Sequence, residues 1–392
     1  MKKVSIIMYS TFSGDSYKAP YLKKVVESLH ANNMLGSCFG MWSNTDKISF
    51  DRKLNNKLHL SIISRTLARI LTKLSRLFPI PDYYGYLSGE IINGFFSKRM
   101  VKNSSEIVYL KPRPLFVVKK FKELNRIVII EASESHPRYT QEKLLNEHRM
   151  FDIKSDSIFV NGYAVSQFEK SLNYADYIVA LSRASADTYI AKGISQDKIK
   201  VINLNNPMKS LTRKKHNDGE IVFVCTAFHS ILKGTHRLLM AWKKTGIKNS
   251  KLYIIGSLHE DLKEFIRKNG PFENVIFTGT MNKKQLVDFY SLNNCVGILL
   301  SLSEAFPRVV IEYMSCSIPV IVTSVATCDL VEDGKNGFIV SYDDELSIIS
   351  RINKFIQMDR EDYFNMCDSA YYSAQTLNDN FAYKLIEIFK EL

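Results

Sequence analysis

No apolar run in this 392-residue sequence approaches the roughly 20 residues needed to cross a bilayer, so a transmembrane helix is not expected. Cysteine is sparse: the six residues at 38, 225, 295, 316, 328 and 367 stand singly, with no C-x-x-C and no Cys/His ligand spacing. That removes support for a zinc site or a redox pair and leaves reduced thiols in a cytoplasmic setting as the simplest reading. Internal repeats and low-complexity tracts are missing, and 17 Gly and 10 Pro are too few for a collagen-like or linker-like chain. The N-terminal Met1-Lys2-Lys3-Val4-Ser5-Ile6-Ile7-Met8-Tyr9-Ser10 has basic residues before an apolar run, but the run is short and no small-residue cleavage site follows. It reads as a buried first strand.

What is present is a folded composition, 45% hydrophobic and 24% charged, with length enough for two domains. The net charge of +13 is unevenly placed. Residues 1–120 hold 20 of the 53 Lys and Arg but only 7 of the 40 Asp and Glu, so they carry the whole excess. Such asymmetry suggests that one face of one domain meets a polyanion, nucleic acid or an anionic membrane surface, the plain alternative being lysines that only confer solubility. No zinc-finger, RNP-like or helix-turn-helix signature accompanies the charge, which ranks nucleic acid last.

Short β-branched runs alternate with amphipathic stretches, the signature of βαβ units around mostly parallel sheets. Strands are expected at Val4 to Tyr9, Ile127 to Ile130 and Tyr177 to Leu181. Helices are expected at Ala19 to Ala31, where Leu22, Val25, Val26 and Leu29 follow the i, i+3, i+4, i+7 pattern, and at Arg183 to Lys192 before Gly193. The polar stretch 204–219 reads as a linker. Beyond it, strands at Ile221 to Cys225, Leu252 to Gly256, Val275 to Thr278, Val296 to Leu300, Val320 to Thr323 and Phe338 to Val340 build a second doubly wound domain. The expected organisation is therefore an N-terminal Rossmann-like domain (1–203), a linker (204–219), a C-terminal Rossmann-like domain (220–372) and a last helical segment (373–392) returning to the first domain.

Leu58 to Phe78 stands apart. Leu60, Ile63, Leu67, Ile70, Leu71, Leu74, Leu77 and Phe78 recur at helical spacing with Arg65, Arg69, Lys73 and Arg76 between them and no acid. Such a helix suits an anionic membrane interface, and equally a core-facing position with a basic solvent face.

The richest stretch runs from Leu300 to Val322. A buried strand ends near Leu302, a short loop carries Glu304, and Pro307 suits a first helical turn. The loop then lies at the carboxyl end of a parallel strand, where open α/β sheets bind ligands, and the unpaired N–H groups of the new helix favour phosphate. Glu304 and Glu312 make poor phosphate ligands but good acceptors for hydroxyls of a sugar and a ribose flanking a diphosphate.

These residues resemble a known family. Two glutamates eight apart (E-x7-E) inside Ser-x-x-Glu-Ala-Phe-Pro-x-Val-x-x-Glu, followed by Pro-Val-Ile-Val, are similar to the retaining glycosyltransferases of family 4, which have the GT-B fold. Val275 to Thr280, Leu286 to Tyr290, Asn294 to Val296 and Leu330 to Val340 extend the resemblance, as do Lys233-Gly234 upstream and Tyr174 to Ser182 in the first half. Coverage is nearly continuous in the C-terminal half and limited to about 128–203 in the N-terminal half. The resemblance implies two Rossmann-like doubly wound domains facing each other across a cleft, the N-terminal one binding the acceptor and the C-terminal one the nucleotide sugar. It implies that Glu312 binds the ribose of a nucleotide-sugar donor, that Glu304 holds hydroxyls of the transferred sugar, and that Lys233 and the segment Phe306, Pro307, Arg308 and Val309, through its backbone amides, cradle the diphosphate. His136 is a weaker match to an N-domain histidine near the donor sugar. Gly14, after the first strand, is a place where donor or acceptor could approach the backbone, and a plain βα turn reads equally well. No metal is implied: no D-x-D triplet occurs, and fixed positive potential stabilises the leaving phosphate instead. Lacking an evident carboxylate nucleophile, the implied retaining path is oxocarbenium-like, with the acceptor guided to the same face by the leaving phosphate.

Three departures from the family pattern stand out. Ala227 and Phe228 replace a common Gly-Arg, with Arg308 and His229 the nearby candidates for the lost cation; Ala305 and Ser317 replace glycines. The expected function is hexosyl transfer from a nucleoside-diphosphate sugar, UDP favoured over GDP, to a hydroxyl of a lipid-linked or surface glycan, with no cofactor required. The expected setting is cytoplasmic and peripheral, on the inner membrane face. A catalytically degenerate GT-B protein that binds glycan or a partner is the alternative.

Overall fold

The computed structural model describes residues 2–7, 20–39, 101–111, 115–154, 157–209, 211 and 219–392. Gly14 and the whole of 58–78 lie outside the described residues, as do 210 and 212–218 of the expected linker.

Two six-stranded sheets, every pairing parallel, organise the chain. The first contains β1 (Val4–Ile7), β2 (Leu35–Phe39), β3 (Ile107–Leu110), β4 (Ile127–Ala132), β5 (Tyr177–Ala180) and β6 (Ile199–Val201), in the spatial order β2-β1-β3-β4-β5-β6. The second contains β7 (Ile221–Thr226), β8 (Leu252–Ile255), β9 (Val275–Gly279), β10 (Asn294–Leu299), β11 (Val320–Thr323) and β12 (Gly337–Val340), in the order β12-β11-β10-β7-β8-β9. Central strands such as β1, β3, β10 and β11 are buried along their whole length. They accordingly read as continuous apolar runs rather than alternating ones, as strands covered by helices on both faces must.

Helices α1 (Pro20–Ala31), α2 (Leu115–Glu123), α3 (Pro137–Met150), α4 (Gly162–Leu172) and α5 (Arg183–Ile190) accompany the first sheet. On α1 the predicted stripe Leu22, Val25, Val26 and Leu29 is the buried face. The second sheet carries α6 (Thr235–Thr245), α7 (Glu260–Asn269), α8 (Lys283–Leu292), α9 (Arg308–Ser315) and α10 (Glu345–Gln357). The chain closes with α11 (Arg360–Gln375) and α12 (Phe381–Glu391). Helix α12 packs on α1 in the first half: the Phe381 ring meets Tyr21 edge-on at 4.9 Å, and Phe389 meets Tyr109 at 5.8 Å.

The stretch read as a linker is not free where it is described. Leu204, Asn206 and Met208 are buried, because the crossing point is covered by α9 and α11. Asn206 donates from Nδ2 to Ser315 Oγ (2.9 Å) and to the Ala374 carbonyl (3.0 Å), and its Oδ1 accepts from the Met208 amide. A short polar residue at the end of a polar run reads as solvent-facing, yet here its amide satisfies donors and acceptors that the crossing would otherwise bury unpaired.

Candidate active site

In each sheet the strand order reverses at one point, between β1 and β3 and between β7 and β10. Loops leaving two neighbouring strands in opposite directions open a crevice there, and open α/β sheets bind ligands in it. The loops leaving β7 and β10 carry Lys233 and Glu304.

Gly234 explains why a lysine is followed by glycine at this place. Its φ is +69°, and a Cβ on it would lie 1.8 Å from the Leu300 carbonyl oxygen. Only a residue without a side chain lets the turn after β7 press against the end of β10 in a left-handed conformation. The Leu302 amide completes the seam by donating to the Leu232 carbonyl (3.0 Å). Lys233 Nζ is thereby set 2.6 Å from Glu304 Oε1, and Ser301 Oγ donates to the same oxygen at 2.7 Å. The Glu304 side chain is 10% exposed and that of Lys233 28%, so both reach solvent from a sheltered place.

Helix α9 starts at Arg308. Pro307 is its N-cap rather than its first helical residue, a shift of one position from the sequence expectation. In its first turn the Val310 amide donates to the Pro307 carbonyl at 3.0 Å, and the positive end of the helix lies at the loop that carries Glu304. Glu312, one turn on, is half-buried. Burial raises its carboxyl pKa, an effect moderated by Arg308 and Lys283. Among the described residues its carboxylate makes no hydrogen bond or ion pair, which leaves it open to hydroxyl donors.

The other domain grips the Glu304 loop through three hydroxyls. Ser135 Oγ donates to the Glu304 carbonyl, Ser182 Oγ donates to the Ala305 carbonyl, and Thr140 Oγ1 bonds Ser303 Oγ, each at 2.7 Å. The cleft thus has a fixed floor made from both halves of the chain. Farther along the interface, Glu147 of α3 is fully buried against α6, 2.6 Å from His236 Nε2 and bound twice by Arg237 at 2.7 Å. Burial alone would raise the Glu147 pKa, but the bonds from His236 and Arg237 outweigh it and hold the carboxyl down at about 2.

His136 is 1% exposed and caps α3, its Nδ1 accepting from the Arg138 amide at 3.2 Å. Burial lowers its pKa to about 4, so it is a neutral imidazole against Tyr189. The structure therefore brings Lys233, Glu304, Glu312 and the Phe306–Val309 segment to one sheet end, and places His136 at the opposing domain's loop, one residue from Ser135.

His229 does not replace a lost cation. It is buried, with Nδ1 2.9 Å from Thr235 Oγ1 and Nε2 3.1 Å from the Ile255 carbonyl, and burial lowers its pKa to about 4. Bonding that carbonyl requires a proton on Nε2 and leaves Nδ1 as acceptor, which is the neutral form. Phe228, at the other departed position, is 58% exposed beside His259. Ser317 stands at φ +58°, with its amide bonded to the Met314 carbonyl and the Ile318 amide to Tyr313. That is a Schellman cap, normally occupied by glycine. Ala305 has no positive φ and so carries no such strain.

Two carboxylates of the opposing domain escape a sequence reading. Glu131 interrupts the apolar strand β4 and is wholly buried, accepting from Tyr21 (2.5 Å) and Tyr109 (2.6 Å), with Lys111 Nζ 3.8 Å away. Its signal was an acid inside a run of Ile, Val and Ala. Glu134, three residues on, is exposed, and its carbonyl accepts from Tyr189 Oη at 3.0 Å.

Among the described residues no three His, Cys, Asp or Glu side chains group to hold a metal ion, and no helix is long and apolar enough to cross a membrane.

Residues 209–375 match the family model described as Glycosyl transferases group 1. The chain is 32% identical over 163 residues to the Staphylococcus aureus capsular polysaccharide biosynthesis glycosyltransferase CapM, covering 39% of this chain and 40% of that one. It spans about half the length of the curated relatives it matches. The lipopolysaccharide outer core galactosyltransferase WaaB, in its apo form, superposes over the full length of both chains with a TM-score of 0.62 at 18% identity. Anabaena HepE in complex with UDP does so over the full length of both with a TM-score of 0.60 at 16% identity. The fold is GT-B. Two Rossmann-like domains face each other across the cleft that holds Lys233 and Glu304, as the E-x7-E resemblance implied.

Proposed function

We propose that this protein is a retaining, metal-independent glycosyltransferase of the family 4 type that moves a hexose from a nucleoside-diphosphate sugar, UDP-linked in preference to GDP-linked, to a hydroxyl of a lipid-linked or growing surface glycan. The observation that carries the reading is the Lys233–Glu304 pair at the β7/β10 switch point, beside the start of α9. An ammonium, the positive end of a helix and two hydroxyl-accepting carboxylates in one crevice match a sugar diphosphate part by part. The arriving diphosphate takes Glu304's place as partner of Lys233. Glu304 is then released to accept from hydroxyls of the transferred sugar, while Glu312, farther along the helix, accepts from the ribose. Charge growing on the departing phosphate meets Lys233 and the helix dipole, whose pre-set positive potential lowers the barrier.

Capsule- or lipopolysaccharide-type biosynthesis as the setting is supported by the names carried by CapM and WaaB, and UDP as carrier by the nucleotide bound to HepE. A glycan acceptor presented at the membrane also accounts for the excess of 13 positive charges in residues 1–120. We place the protein peripherally on the cytoplasmic membrane face for that reason.

The test is release of nucleoside diphosphate from a panel of labelled UDP- and GDP-sugars supplied with glycolipid extract. Turnover with one donor and retention of anomeric configuration in the product are expected. Donor binding without turnover across the panel would instead favour a degenerate, glycan-binding GT-B protein.

A further inference from the structure

Three hydrogen bonds close a ring between the two halves at the start of α9. Ser182, at the head of α5, donates to the Ala305 carbonyl, and Cys328 Sγ donates to the Pro307 carbonyl at 3.3 Å. The next residue, Asp329, completes the ring, its Oδ2 accepting from the Arg183 amide at 2.8 Å and from Asn203 Nδ2 at 2.9 Å. A carboxylate of the second domain thus caps a helix of the first. Ser182 already accepts from the Ser185 amide at that helix end, and the added negative charge faces its positive pole. Asn203, itself tied to the Leu181 carbonyl at 3.2 Å, lies two residues past β6, where the chain leaves the first domain. Asp329 therefore bonds the first domain beside the crossing between the halves.

The backbone is strained to make this contact. Cys328 and Asp329 stand in succession at φ +54° and +56°, the left-handed region that Asp tolerates and Cys rarely enters. They follow the 3₁₀ turn Ser324–Ala326, and the Leu330 and Val331 amides close back on the Thr327 carbonyl. The result aims two consecutive side chains at two different bodies: Cys328 is buried against Pro307, and Asp329 is exposed and reaches α5. Burial, reinforced by the charges of Glu304 and Asp329, raises the Cys328 pKa well above the ordinary thiol value, so Sγ stays a donor. Strain held at non-glycine residues by the surrounding structure clusters where geometry serves function.

We propose that Asp329 is a positioning residue for sugar transfer: it holds the first domain closed over the donor crevice beside the crossing and, through Cys328, fixes the start of α9. The inference rests on the donor site proposed above and deepens it by naming what keeps the two halves together there. The groups assigned to the donor, Lys233, Glu304, Glu312 and the Phe306–Val309 segment, all belong to the second domain, whereas the acceptor must arrive from the first. Transfer therefore needs both halves at one fixed angle, and a donor must still enter and leave. A few exposed hydrogen bonds beside the crossing suit that task, because they set the angle without sealing it. Asp329 takes no part in the chemistry and acts through the helix ends it joins.

The experiment reads the distance between the halves of the full-length protein by pulsed electron resonance, with UDP-glucose bound, or GDP-mannose if UDP-glucose does not bind. Tyr163→Cys on α4 and Leu346→Cys on α10 supply exposed sites for nitroxide labels, and the six native cysteines are buried. Otherwise wild-type protein is expected to give one narrow distance. Asp329→Ala is expected to broaden it, and to lower kcat for nucleoside diphosphate release with glycolipid extract by about tenfold. Donor Kd from calorimetry should change less than about threefold, since the donor groups lie on the second domain. Asp329→Asn keeps an oxygen that caps a helix as well as Asp does, so it is expected to restore both the distance and kcat. Asp329→Gly suits the left-handed backbone but has no acceptor, so it is expected to behave as Asp329→Ala. Wild-type behaviour of Asp329→Gly overturns the proposal, because the carboxylate's bonds would then be dispensable. Normal wild-type turnover with an unchanged distance or kcat in Asp329→Ala overturns it alone. If wild type neither binds nor turns over either nucleotide sugar, the donor site itself is wrong and the proposal falls with it.

Discussion

Lys233 Nζ lies 2.6 Å from Glu304 Oε1, and this pair spans two loops that leave neighbouring strands at the point where the sheet order reverses. A cation and a carboxylate so placed satisfy each other when the crevice is unliganded and can each turn to a different part of one ligand. On the proposed function, the pair stands in for the phosphate and hydroxyl contacts of a sugar diphosphate.

On the assignments proposed above, Lys233 and Glu312 differ in what their loss does. Lys233→Ala removes a charge aimed at the leaving group, so kcat/KM is expected to fall by about 10²–10³ with kcat falling too. Glu312→Ala removes a ribose contact of equal strength in ground and transition states, so KM for donor rises with kcat little changed. Steady-state kinetics on both variants checks this; equal and negligible effects contradict the assignment.

Gly234 tests the architecture rather than the chemistry. A methyl group there collides with the Leu300 carbonyl in a left-handed backbone, so Gly234→Ala is expected to cost about 1–3 kcal/mol and to displace Lys233. Thermal unfolding and donor affinity should both decline, whereas Gly246→Ala, with the same sign of φ but open space, should lower stability without touching affinity.

The buried Glu147 links stability to acid. Its folded pKa of about 2 lies below the ordinary carboxyl value near 4.3, so the stability it contributes is whole above about pH 4.3 and is lost as pH falls toward 2. His236, kept neutral by burial, works in the same direction, because the unfolded chain takes up its proton first as pH drops through about 6.5. Glu147→Ala, which strands Arg237 and His236 at the interface, is expected to cost roughly 3–5 kcal/mol. Chemical denaturation from pH 7 to 3 should show wild type losing stability faster than Glu147→Ala, which starts lower.

The membrane proposal has its own test. Replacing Arg65, Arg69, Lys73 and Arg76 with Gln should move the protein from anionic vesicles into solution, at about 1 kcal/mol per charge. Unchanged sedimentation with the vesicles would count against it.

Most strands of both sheets, and the helix α1, were legible because buried parallel strands and amphipathic helices leave unambiguous periodicities. Strands β2, β3 and β6 were not: Leu35–Phe39 contains Gly36 and Ser37, Ile107–Leu110 follows a polar turn, and Ile199–Val201 is three residues long with a lysine at its centre. The proximity of Lys233 and Glu304 was anticipated for a different reason. Glu304 to Glu312 lie in one strand-loop-helix segment that points to a strand's carboxyl end, and Lys233-Gly234, 71 residues before Glu304, was tied to it only through the resemblance to family 4. The grip of Ser135, Thr140 and Ser182 on the Glu304 loop was not, since it joins residues 123 to 169 positions apart that no local pattern connects. The buried roles of His229 and Asn206 were hidden likewise: a polar side chain looks the same in sequence whether it faces water or satisfies a carbonyl.

The account is tested most directly by thermal unfolding of wild type, Lys233→Ala and Glu312→Ala across a panel of UDP- and GDP-sugars. It predicts that one nucleotide sugar raises the wild-type midpoint in a concentration-dependent manner, as a ligand bound only by the folded state must, and that both variants lose most of that rise. No shift with any nucleotide sugar, or equal shifts in all three proteins, would contradict it.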